Sequence, residues 1–154
     1  MRIIFDLDGT LADCEHRRHL VRKDRKDPMW QQFYQQCGKD TPIEHTIEVF
    51  RTLTWDGNHD VRIWSGRCES TRQITVGWLL DWVTAEAGRF QRGDWLRMRP
   101  IGNTDPDDVL KEAWLDMSIA AGWRPDLVFD DRNKVVAMWR RRGIPCFQVA
   151  PGDF

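Results

Sequence analysis

An α/β fold on a mainly parallel sheet is what this sequence predicts, and three observations lead there. Strand-like runs alternate with stretches of helical periodicity along most of the chain. Two of those runs end in closely spaced carboxylates, Asp6 and Asp8 after "RIIF" and Asp130 with Asp131 after "LVF". The length of 154 residues suits one domain, which at that size buries roughly 70% of its unfolded surface.

Taken in order, Ile3, Ile4 and Phe5 read as a strand buried on both faces within residues 2–6. Further strands are expected at 60–65 ("DVRIWS"), more weakly at 96–101, then at 126–130 ("DLVFD") and 144–149 ("IPCFQV"). Ile43, Ile47, Phe50 and Leu53 repeat at helical spacing over 43–55, and Asp56-Gly57 stops them. A second helix is expected over 69–87 with Ile74, Trp78, Trp82 and Val83 inward, although Gly77 weakens it. A third opens at "TDPDDVLKEAW", with Asp105 as N-cap, Pro106 at the first helical position and Asp107 and Asp108 in the first turn. The fourth, "RNKVVAMWRRRG", buries Val135, Val136 and Trp139, carries arginines in its last turn and ends at Gly143. Trp78, Trp82, Trp114 and Trp139 all fall on apolar helical faces and are expected in the core.

Residues 14–42 break the alternation. They are too polar for a core strand and too long for an ordinary loop, so a small helical insertion or cap after the first strand is expected. Trp30 and Phe33 within it either pack the insertion onto the domain or stack on a base. His16 and His19 are assigned no chemistry.

Composition narrows the function. A net charge of −1 exerts no global pull toward nucleic acid or membrane, so anion binding must be local. Asp6 and Asp8 interrupt the first apolar run, which argues against a secretory signal, and no segment has the length of a membrane span. Four cysteines without CxxC pairing or histidine partners read as reduced thiols in a cytoplasmic protein.

The chemistry follows from the strand ends, where parallel sheets bind ligands. Residues two apart on an extended chain point to one side, so Asp6 and Asp8 are expected to converge on one point, with Asp130 joining from a neighbouring strand. Carboxylates so crowded repel unless protons or a cation intervene, and oxygen-only ligands beside a phosphate suit Mg²⁺ better than zinc. Gly9 lets the backbone turn and brings amide hydrogens near an anion. Ser65, Arg67 and Lys111 add donors and positive charge, which with a carboxylate nucleophile is the equipment of phosphoryl transfer through an aspartyl-phosphate. Read separately, each feature has a plainer explanation: the first acids alone would be read as capping the next helix, and Arg140–Arg142 serve a helix C-terminus and solvent.

With those residues in view, the sequence resembles the haloacid dehalogenase superfamily of phosphotransferases. Asp6–Thr10 matches the DxDGT motif, Ser65 opens "SGR", Lys111 stands as the third motif and Asp130-Asp131 as the fourth. More narrowly, "DDRNKVVAMWRRRGIPCFQVAPGDF", "DDVLKE" and "SGR" are similar to the 3'-phosphatase domain of phage polynucleotide kinase-phosphatases. The resemblance implies a Rossmann-like three-layer sandwich and a single domain over 1–154. It implies Asp6 as nucleophile and Asp8 as the acid that protonates the leaving oxygen and then activates water. Mg²⁺ would lie between Asp6, Asp130 and the main-chain carbonyl of Asp8, with Asp131 helping through water. Ser65, Gly66, Arg67 and Lys111 would hold the phosphoryl group, Asp107 would orient Lys111, and Arg17 would contact substrate. The expected substrates are 3'-phosphorylated nucleic-acid ends or free nucleotides, with a separate kinase or ligase as a possible partner. No GxxxxGK[ST] motif occurs, so 5'-phosphorylation is not expected of this chain. A nucleotidase with residues 14–42 as a lid, and a non-catalytic module that recognises nucleic-acid ends, are the competing functions.

Overall fold

The computed structural model of the chain describes residues 1–55, 57–85 and 95–152. In chain order the strands are β1 (Arg2–Phe5), β2 (Ala12–Asp13), β3 (Thr41–Pro42), β4 (Asp60–Cys68), β5 (Leu96–Arg99), β6 (Leu127–Asp130) and β7 (Cys146–Gln148). The helices are α1 (Met29–Gln35), α2 (Glu44–Trp55), α3 (Arg72–Trp82), α4 (Asp107–Ala120) and α5 (Asn133–Arg141). Five strands form a parallel sheet in the order β5-β4-β1-β6-β7. The chain crosses from β1 to one side through β4 and later to the other through β6, so strand order reverses at β1. The crevice beyond its carboxyl end is where ligands enter such sheets.

The two-residue period of the strands sorts the core into layers. Ile3 and Phe5 turn to one face with Val61 and Ile63, beneath Ile47 and Phe50 of α2 and Trp78 and Leu79 of α3. Ile4 turns to the other with Trp64 and Val128, beneath Trp114 of α4 and Val136 and Trp139 of α5. This is the α/β sandwich that the alternation predicts. No described helix is long and apolar enough to cross a membrane.

Several expectations need correction. Trp82 is 47% exposed and Ile74 41%, because the inward face of α3 runs through Thr75, Trp78 and Leu79 and leaves those two on its flanks. Ile74 instead meets the insertion, where a Cβ on Gly38 would approach its Cγ2 to 2.8 Å. Helix α4 begins one residue late: Pro106 is extended (ψ 150°) and its carbonyl accepts the first bond, from Leu110 N–H, while Asn103 engages the Asp105 carboxylate. Asp56 and residues 86–87, named above as helix ends, lie outside the described residues.

The insertion has a stem and a core of its own. β2 and β3 pair antiparallel, so the excursion leaves and rejoins the domain side by side. Between them a 3-10 turn at Glu15–Leu20, α1 and a second 3-10 turn at Gln36–Lys39 close over Leu20, Trp30, Phe33 and Tyr34. Trp30 and Phe33 are both 6% exposed and pack edge to face, which assigns them to packing rather than to base stacking. The arginines of α5 are also structural, since Arg141 and Arg142 pair with Glu112 and Arg142 also with Asp116 on α4.

Candidate active site

Beyond Phe5 the chain stays beside β6, because Asp6 N–H donates to Phe129 O at 2.9 Å. β6 itself ends in Asp130, and the turn after it carries Asp131. Asp6, Asp130 and Asp131 therefore bring carboxylate oxygens within 4.8 Å of one another. Lys111, one turn into α4, reaches the same point: its Nζ donates to Asp6 Oδ1 at 2.5 Å and to Asp130 Oδ2 at 2.8 Å.

One ammonium cannot balance three buried carboxylates, and the excess shows in their proton affinity. Burial drives the Asp6 carboxyl up to about 8, with Asp130 and Asp131 adding repulsion against the pull of Lys111. Burial followed by Asp130 drives Asp131 up to about 7. Burial also works against the charge of Lys111, but Asp130 and Asp6 outweigh it and hold the ammonium more firmly than in water.

Gly9 makes the crowding possible. Its φ is +83°, and a Cβ there would stand 2.1 Å from Asp131 Oδ2. Gly9→Ala is therefore expected to destabilise the fold by at least ~1–2 kcal/mol through the left-handed backbone alone. It should also displace Asp131. Urea unfolding checks this, and an unchanged midpoint would contradict it.

Asp8 departs from the expected convergence with Asp6. Its carboxylate faces a buried arginine pair instead: Arg17 Nη2 and Arg67 Nε both donate to Asp8 Oδ1 at 2.8 Å. Behind them lies Asp40, with Arg17 Nε on Oδ1 at 2.7 Å and both Arg17 Nη2 and Arg67 Nη2 on Oδ2 at 2.5 Å. Burial raises the Asp8 carboxyl, but Arg67 and Arg17 prevail and hold it at about 2, so it is ionised. Arg17 and Arg67, expected to meet phosphoryl oxygens, are fully buried on these acids, since unpaired charges at such depth are costly. Ser65 is buried too, its Oγ accepting Arg67 N–H at 3.2 Å. Ser65 and Arg67 lie within β4, which continues to Cys68 beyond the end of β1 through a register shift against β5.

Asp107 likewise has other partners than the expected Lys111. Arg25 donates to it at 2.8 Å, and Arg99 and Arg132 pair with it as well. Gly66 accommodates this carboxylate, since a Cβ there would come within 2.8 Å of Asp107 Oδ1. Asp6, Asp8, Gly66, Asp107, Lys111 and Asp130 all line one narrow cavity of about 40 Å³. Cys14, Arg18, Arg25 and Tyr34 of the insertion close its other side.

Sequence reading missed Asp40, Arg25 and Arg99. Asp40 stands 23 positions from Arg17 and 27 from Arg67, with no periodicity to link them. Arg132 directly follows the Asp pair and was the one accessible clue to the cationic rim.

A family model described as the polynucleotide kinase PNKP phosphatase domain matches residues 1–154, the whole chain. The chain belongs to that family. It is a phosphatase of the haloacid dehalogenase type. Among solved structures it is similar to a chain of the Pnkp1/Rnl/Hen1 RNA repair complex, with 29% identity, a TM-score of 0.72, and coverage of 99% of this chain and 43% of that one. The phosphatase thus spans less than half of that relative. The class C acid phosphatase from Bacillus anthracis with tungstate bound shares the fold at 13% identity and a TM-score of 0.64, over 99% of this chain and 66% of the other. A HAD-superfamily hydrolase from Geobacter sulfurreducens PCA shares it at 15% identity and 0.51, over 96% and 85%.

Proposed function

We propose that this phosphatase is a Mg²⁺-dependent monoesterase that removes 3'-phosphates from polynucleotide ends in nucleic-acid repair. The observation that carries the chemistry is the Asp6, Asp130 and Asp131 cluster with Lys111 between two of its members. The donor set fits a hard divalent ion, being all oxygen and over-charged. Asp6 and Asp130 would hold Mg²⁺ together with the main chain of Asp8, and Asp131 would assist. Once bound, the ion neutralises charge on the phosphoryl oxygens.

Asp6 attacks phosphorus as the bond to the leaving nucleoside oxygen breaks, giving an aspartyl-phosphate. Asp8 supplies the proton to the leaving oxygen. Water then attacks phosphorus, its proton passes to Asp8, and the bond to Asp6 breaks to release phosphate. The ionised state of Asp8 suits the second step directly. The first needs Asp8 protonated, which requires its arginine partners to turn to the incoming phosphoryl oxygens so that the released carboxylate takes up a proton from solvent before the ester bond breaks. Arg67 has an arm available, since its buried Nη1 has no hydrogen-bond partner among the described residues. The family supports a polynucleotide substrate, and the similarity to a chain of an RNA repair complex supports work alongside partner chains in repair.

The alternative nucleotidase draws support from the insertion, which walls one side of the cavity and would serve as a lid. Hydrolysis of a 3'-phosphorylated oligonucleotide is compared with that of 3'- and 5'-mononucleotides, with and without Mg²⁺. Faster turnover of the oligonucleotide, lost without metal, is expected. Superior turnover of the small molecules would overturn the polynucleotide reading, and metal-independent release would overturn the Mg²⁺ assignment.

Metal removal carries a pH signature. Asp6 and Asp131, raised from 3.8 to about 8 and about 7, favour the folded state most when protonated, and that contribution is lost as pH rises through those values. Asp8, lowered to about 2, loses its contribution only below about pH 4. In chelator, thermal stability is therefore expected to fall between pH 5 and 8. Mg²⁺ should restore more of it at pH 8 than at pH 5. Equal stabilisation by Mg²⁺ at both values would contradict the shared-carboxylate site.

A further inference from the structure

The acidic cluster is held together in two different ways. Lys111 ties Asp6 and Asp130 by their carboxylates. Asp131, the third member, stands in the two-residue connection between β6 and α5, and that connection is gripped through its main chain by "QVAPG", residues 148–152. Asp130 O accepts Val149 N–H at 3.1 Å. Asp131 O accepts from Gln148 Nε2 at 2.8 Å, and the same amide donates to Asn133 Oδ1 at 2.5 Å. Gly152 O takes Asn133 N–H at 3.0 Å, a first-turn amide that a helix cannot satisfy from within.

Packing closes the grip. A Cβ on Gly152 would lie 2.5 Å from Asp131 O and 2.8 Å from Asp131 C and Arg132 Cα, all main-chain atoms that cannot rotate away. Gly152 is not among the glycines with positive φ, so space and not backbone angle excludes a side chain there. At the other end of the residue, a Cβ on Gly9 would overlap Asp131 Oδ2. Asp131 thus sits between two glycine contacts, one on its carboxylate and one on its carbonyl. Such confinement has a use. The carboxylates of Asp6 and Asp130 repel that of Asp131, which on a loose turn would swing toward water and leave the cluster one ligand short.

We infer that residues 148–152 are a positioning clamp for the divalent-ion site, with Gln148 and Gly152 fixing the turn that carries Asp131. Neither residue touches the reacting atoms; both act through Asp131. This rests on the reading of the cluster as a Mg²⁺ site.

The test is thermal unfolding at pH 8 across a Mg²⁺ series, for wild type, Gln148→Met, Gly152→Ala and a control, Arg140→Met. The dissociation constant is read from the rise of Tm with Mg²⁺ concentration. Gln148 is exposed, and Met keeps its length while removing the donor. Arg140 also holds β7, donating to Cys146 O at 3.0 Å, but at the level of Val128 rather than Asp130. Loss of a group that orients a metal ligand typically costs about 10–100-fold in affinity. Gln148→Met, acting through a main-chain carbonyl, is expected at the lower end, with the dissociation constant raised about tenfold. Gly152→Ala should raise it further. At saturating Mg²⁺, kcat of Gln148→Met on p-nitrophenyl phosphate should change little, since Asp131 regains its place once the site is filled. Arg140→Met should lower Tm and leave the Mg²⁺ dissociation constant unmoved.

Wild-type Mg²⁺ affinity in Gln148→Met would overturn the clamp, and this variant decides alone if Gly152→Ala does not fold. An equal loss of affinity in Arg140→Met would also overturn it, tracing the effect to general loosening of β7. Failure of the Mg²⁺ reading looks different, because wild type itself then gains no stability from the ion, and that result overturns both.

Discussion

Replacement of Asp6 by Asn is expected to lower turnover of p-nitrophenyl phosphate and of 3'-phosphorylated oligonucleotide by about 10⁵–10⁶-fold, the scale seen when a covalent nucleophile is removed. The amide cannot attack phosphorus, and no neighbouring group replaces it: Asp8 is occupied by two arginines and Asp130 by Lys111. The fold should survive, with a stability change on the order of 1 kcal/mol or less. With its carboxyl raised to about 8, Asp6 in the metal-free protein is largely protonated near neutrality, so a neutral amide of the same shape replaces a neutral acid. Lys111 keeps Asp130 as its partner at 2.8 Å. Steady-state kinetics and urea unfolding on one preparation decide it. Activity within tenfold of wild type would refute Asp6 as nucleophile.

Asp40→Ala is expected to produce the largest loss of stability. The carboxylate is fully buried and takes hydrogen bonds from Arg17 at 2.5 and 2.7 Å and from Arg67 at 2.5 Å. Its removal leaves two buried guanidiniums to share Asp8, and breaking such a pair from one side typically costs about 3–5 kcal/mol. A domain with ~5–15 kcal/mol in total would be brought close to its limit. Asp40→Asn preserves the volume and removes the charge, so a similar loss in both variants identifies charge pairing as the cause. Unfolding midpoints indistinguishable from wild type would show that solvent reaches the arginines and that the network is not closed.

The elements were legible because their signals are local. Ile3, Ile4 and Phe5 announce a strand with both faces covered, and the register Ile3↔Val61 and Ile3↔Leu127 places it between two neighbours as that pattern requires. Val135, Val136 and Trp139 mark the buried face of α5 by spacing alone, and all three are buried. Trp82 shows the weakness of the method. Its ring is apolar and within a turn of buried Trp78 and Leu79, yet it lies on the flank of α3, because hydrophobicity does not specify which side of a helix the sheet covers.

For the site, Asp6, Asp8 and Asp130 stood out by residue type and by their position at strand ends, and Lys111 only by its spacing from Asp107 and its motif context; all four line one cavity. What each touches was not legible. The i, i+2 spacing suggested that Asp6 and Asp8 share a point, but Asp6 meets Lys111, 105 positions away, and Asp8 meets Arg67, 59 away.

By itself the sequence determined the order of strands and helices, the acids at the strand ends and the likeness to haloacid dehalogenase phosphatases, since these depend on neighbours along the chain. Only the tertiary structure decided which acid is ionised and which arginines are internal counterions. Those properties depend on burial and on through-space charge pairing, which bring together residues such as Arg25 and Asp107 that no local pattern connects.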